Sequence, residues 1–69
     1  MTKSDALRAA IDNLDAGERI DIDELRAWGL RGAAALCEDL IDDEASDETR
    51  ERVRTSLCAT LAAVRSEEV

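Results

Sequence analysis

The chain has 69 residues, with 17 acidic side chains against 9 basic ones and no histidine, so its formal net charge is −8 at neutral pH. This length has room for one domain, and we expect a single helical domain over residues 1–69. The charge argues against direct binding to nucleic acid or to an anionic membrane, because both need clustered Lys and Arg side chains. No apolar run approaches the roughly 18 residues of a membrane span and no targeting segment is visible, so we expect a cytoplasmic protein.

The first predicted element is an amphipathic helix over residues 4–15. Its apolar positions recur at spacings of three and four residues, at Leu7, Ala10, Ile11 and Leu14. Thr2 or Ser4 can cap the helix at its N-terminus, because a short hydroxyl side chain accepts a hydrogen bond from a first-turn amide. Gly17 suits the left-handed position that ends many helices.

A short second helix is predicted over residues 23–28, after an extended segment. The segment Ile20-Asp21-Ile22-Asp23 alternates apolar and polar residues, and we expect its isoleucines to insert into the core. One of its aspartates can cap the helix, because aspartate is a favoured N-cap residue. Gly29 is expected to end the helix.

Two longer helices are predicted in the C-terminal half, over residues 32–44 and 47–66. The apolar face of the third helix comprises Ala33, Leu36, Cys37, Leu40 and Ile41. Ser46 is a suitable N-cap for the fourth helix, whose apolar positions are Val53, Leu57, Leu61 and Val64. Oppositely charged pairs at helical spacing predict a solvated face on that helix, at Glu48–Arg52, Asp47–Arg50 and Glu51–Arg54. Together the elements predict an all-α fold, a small compact helical bundle.

The sequence holds no constellation typical of an enzyme. A nucleophilic Cys37 or Cys58 would need a histidine base, and exposed carboxylates are poor general acids at neutral pH. Two thiols without histidine cannot form a standard zinc site. A calcium loop that begins at Asp12 would place Leu14 and Ala16 at ligand positions. We therefore expect no enzyme, no cofactor and no metal. The cysteines are expected to be small buried side chains, with a disulfide or redox pair as the alternative.

The most distinctive local feature is an acidic segment over residues 38–48, which holds seven acids and no base. Its first five acids are Glu38, Asp39, Asp42, Asp43 and Glu44. They crowd the predicted C-terminal end of the third helix, where the helix dipole favours cations. Carboxylates at helical spacing can imitate nucleic-acid phosphates, as in phage-type mimicry. These five residues therefore predict a non-enzymatic inhibitor or regulator that binds a basic, nucleic-acid-handling protein.

Trp28, the single aromatic residue, is predicted to be either a core residue or an interface anchor. Arg26 and Arg31 flank it, and Trp and Arg are enriched at interface hot spots. This corner could dock on the acidic segment of a second copy. A core with so few large side chains also gains stability from association, so we expect a homodimer.

Two alternative functions stay open. Acidity can serve hydration in a structural or housekeeping dimerisation domain of a salt-adapted organism, because molar salt shortens the screening length to about 3 Å. The second alternative is a helix-turn-helix DNA-binding regulator, since Gly29 lies between two predicted helices as in that motif. Glu38 and Asp39 argue against it, because their charges would repel phosphates.

Overall fold

A computed structural model describes residues 2–42 and 46–67 of the chain, with Asp42 described in its backbone alone. These residues contain four helices and no strand, which confirms the predicted small all-α bundle. The helices are α1 (Lys3–Ala16), α2 (Ile22–Ala27), α3 (Arg31–Asp42) and α4 (Asp47–Glu67). The predicted bounds agree within about a residue for α1, α2 and α4 and at the start of α3. Positions 43 and 44, predicted to end the third helix, lie outside the described residues.

The hydrogen bonds at both ends of α1 explain its bounds. The Thr2 hydroxyl accepts from the Asp5 amide at 3.2 Å, and the Asp5 carboxylate accepts from the Thr2 amide at 3.1 Å, which forms a capping box. Thr2 is therefore the cap, and Ser4 is buried in the first turn. At the other end Gly17 adopts a φ of 73°, and its amide donates to the Leu14 carbonyl. Glycine favours this left-handed conformation, as predicted.

Helix α2 begins one residue earlier than predicted. The Asp21 carboxylate accepts from the Glu24 amide at 3.1 Å, and this cap makes Ile22 the first helical residue. The preceding Ile20 is buried and Ile22 packs against the core, as expected for both isoleucines. Gly29 follows the helix with a φ of 76°, a conformation that favours glycine, and so reverses the chain into α3.

The core lies where α1 and α3 pack against α4 and α2 packs against α3. Its most enclosed large side chains come from all four helices and are Leu7, Leu25, Cys37, Val53 and Leu57. Ser46 caps α4 as predicted, because its hydroxyl accepts from the Thr49 amide at 3.3 Å. Leu61, predicted on the buried face of α4, is half-buried.

Ile41 departs from its predicted position on the buried face of α3. Its side chain is 63% exposed, although Leu40 beside it is buried. The reason is its place in the last turn of α3, where it faces the segment between α1 and α2 across an open cleft. Helical periodicity places a side chain on a face but does not indicate whether another element covers that face.

Candidate functional site

The five predicted partner-binding acids differ in their surroundings. Glu38 is half-buried on α3, and its carboxylate contacts the guanidinium of Arg26 on α2. Asp39 is exposed beside it. Asp42 is the last residue of α3 and is described in its backbone alone. Asp43 and Glu44 lie outside the described residues.

Exposed carboxylates from two helix ends share one end of the bundle. The last turn of α3 has no basic residue, and α4 begins with the exposed acids Asp47 and Glu48. Ile41 of α3 and Arg50 of α4 line the same cleft, so these two helix ends lie side by side. We call the four acids Glu38, Asp39, Asp47 and Glu48, which lie near these two helix ends, the acidic end.

Among the described ion pairs, Arg26 is the cation that contacts one of these acids. It contacts Glu38 and lies 3.6 Å from Asp23, measured from Nη1 to Oδ1. The Arg26 and Glu38 side chains are 53% and 44% exposed. An ion pair this exposed contributes little net free energy, because water screens it. Glu38 can therefore exchange Arg26 for a cation of a partner at small energetic loss.

The Trp28 corner serves the fold of this chain. Trp28 ends α2, is half-buried against the core and donates from Nε1 to Glu24 Oε1 at 3.0 Å. Arg31 is exposed as the first residue of α3. The role of Glu24 was not predicted, although its spacing of four residues to Trp28 was an available signal. The homodimer and the role of Trp28 as an interface anchor stay predictions.

Two arginines of α4 reach α1 instead of the acids predicted to pair with them. Arg50 Nη2 donates to the Leu14 carbonyl at 2.7 Å, close to the end of α1. Arg54 contacts the Asp15 carboxylate at 2.8 Å. Both contacts join residues far apart in sequence, so helical spacing could not indicate them.

An apolar cleft of about 180 Å³ lies beside the acidic end and was also missed. Its apolar walls come from α1, the segment after it, α2 and α3, with Leu14, Ile20, Ile22, Leu40 and Ile41 among the lining residues. The charged residues of its lining are Glu18, Arg19 and Arg50. No sequence signal could have revealed the cleft, because it exists only where these elements meet.

The two thiols of the chain differ in burial. Cys37 is buried and Cys58 half-buried, and both are free thiols. Burial raises the pKa of Cys37 to about 11, because the thiolate would lose its hydration. Among the described residues, no group of three or more potential ligands could hold a metal ion. None of the described helices has the length and apolar character needed to cross a membrane.

Comparisons with protein-family models, with curated proteins and with solved structures found no match to this chain. A functional assignment therefore depends on the surface itself. That surface combines exposed carboxylates with an adjoining apolar cleft, a combination suited to recognition of another macromolecule.

Proposed function

We propose that this chain is a non-enzymatic acidic interaction protein, an inhibitor or small regulator that binds a basic, nucleic-acid-handling protein. The observation that supports the proposal is that the C-terminal end of α3 and the N-terminal end of α4, which lie side by side, carry exposed carboxylates at Asp39, Asp47 and Glu48. In sequence, Asp42, Asp43 and Glu44 extend the same run of charge. A basic groove on a partner would complement this charge and be steered toward it.

The position of these acids explains why a cationic partner would bind. Carboxylates near the C-terminal end of a helix meet the negative pole of its dipole, which costs about 0.3–1 kcal/mol for each charge at low ionic strength. Asp39 lies in this position, and the last turn of α3 has no basic residue to offset it. Lysines and arginines of a partner would relieve this repulsion. Binding should therefore weaken as salt screens the charges.

Two double variants with the same change of charge test the proposal. Asp39→Asn with Glu44→Gln alters the predicted surface, whereas Asp12→Asn with Glu67→Gln alters α1 and the far end of α4. Each changes the net charge from −8 to −6 by removing two acids. Glu38 is left intact because Arg26 contacts it.

The variants are compared by capture from a native lysate, identification of the bound protein and titration of the purified pair. We expect a Lys- and Arg-rich nucleic-acid-binding partner, whose affinity falls about tenfold for the first variant, since each lost contact contributes about 0.5–1 kcal/mol. The second variant should bind like the wild type. A partner without a basic surface, or equal affinity for the two variants, would contradict the proposal.

Salt adaptation is the competing explanation of the same acids. It is favoured by the number of exposed acids on the described helices outside ion pairs, including Asp12, Asp39 and Glu51. It predicts that folding improves steeply between low and molar KCl, because salt screens the repulsion among carboxylates. Circular dichroism across this range separates the two proposals, since an interaction protein of ordinary stability would change little.

The helix-turn-helix alternative has support in the backbone alone. α2, the turn at Gly29 and α3 follow one another as in that motif. Among the described residues of α3, however, the exposed base Arg31 is matched by the exposed acid Asp39. The carboxylate of Asp39 would repel DNA phosphates. A gel-shift assay at low salt tests this alternative, and a mobility shift of random-sequence DNA would favour it.

A further inference from the structure

We draw no further inference here: the strongest candidate, the apolar cleft that the exposed side chain of Ile41 borders between the end of α3 and the segment joining α1 to α2, carries charges of both signs in its lining, and nothing in the structure shows what covers it.

Discussion

Arg54 on α4 donates two hydrogen bonds to the carboxylate of Asp15 near the end of α1. The distances are 2.8 Å from Nε to Oδ1 and 3.3 Å from Nη2 to Oδ2. This contact lowers the pKa of Asp15, chiefly through the hydrogen bond from Arg54, and raises the pKa of Arg54. A carboxyl whose pKa is lowered by folding stabilises the fold above its unfolded pKa, and the contribution is lost as pH falls through its folded pKa.

We expect Asp15→Asn to lower the thermal midpoint at neutral pH, and the midpoint of the variant to approach that of the wild type as the solution is acidified. The difference between the two midpoints at neutral pH should be small, because both side chains are about half exposed and water screens the pair. Thermal unfolding across the acidic range measures it, with Asp12→Asn on the same helix as the control. A difference from the wild type that stays constant down to the most acidic pH would contradict this role for Asp15.

The contact between Arg50 and the Leu14 carbonyl predicts that substitution of Arg50 lowers stability more than substitution of Asp15 does. Nη2 of Arg50 satisfies a carbonyl near the C-terminal end of α1, at a partly buried site. Removal of a hydrogen bond that involves a charged donor destabilises a fold by about 1.5–3 kcal/mol. We expect urea denaturation to show a loss in this range for Arg50→Met. Arg52→Met, at an exposed position of the same helix, should change the free energy of unfolding little.

Leu57 provides a test of the core. Its side chain is fully buried, and Leu57→Ala should lower stability by about 2–5 kcal/mol, because it leaves a cavity between helices. A chain of this length has a total stability of roughly 3–10 kcal/mol at 0.05–0.15 kcal/mol per residue. The substitution therefore removes a large part of the total stability, and circular dichroism should show Leu57→Ala unfolding at a markedly lower urea concentration than the wild type. Leu61→Ala, which alters a half-buried residue one turn away, should keep its helical signal.

The two thiols should react at different rates with an alkylating reagent. Cys37 is buried and the pKa of its thiol is raised to about 11, whereas Cys58 is half-buried. Mass spectrometry at neutral pH should detect modification of Cys58 first, and that of Cys37 after denaturation. In the Cys58→Ser variant, rapid modification of the folded chain would show that Cys37 is accessible.

The raised pKa of Cys37 also predicts how stability changes at alkaline pH. A thiol whose pKa is raised by folding favours the folded state below its unfolded pKa, and this contribution is lost as pH rises toward about 11. Cys37→Ala should reduce the loss of stability in this range, which thermal unfolding at increasing pH would detect. An identical alkaline profile for the variant and the wild type would contradict the assignment.

Local signals in the sequence predicted the helices well. Thr2, Asp21 and Ser46 each accept a hydrogen bond from an amide in the first turn of the helix that follows. Gly17 and Gly29 adopt positive φ at the ends of α1 and α2. These features depend on residues three or four positions apart, so spacing alone can identify them. The acidic segment was also visible in the sequence, and the exposure of Asp39 agrees with a surface position.

The contacts between helices were not predictable in the same way. Helical spacing favoured partners within α4 for Arg50 and Arg54, yet both arginines contact the end of α1. Glu38 was predicted as part of a free acidic surface, and it contacts Arg26. In each case several oppositely charged or polar groups were available. The packing of the helices decides which of these groups lies close enough for contact, and the sequence does not show how the helices pack.

The sequence by itself determined the all-α architecture, the bounds of α1, α2 and α4 to within about a residue and the concentration of negative charge near residues 38–48, because caps, glycines and apolar periodicity act over a few residues. Only the tertiary structure decided that Ile41 stays exposed and that Ile20 and Ile22 meet it across a cleft. Those residues lie on different elements, and their proximity results from how α1, α2 and α3 pack. The net charge of −8 thus describes the whole chain, whereas the apolar cleft beside its acidic end arises from the fold.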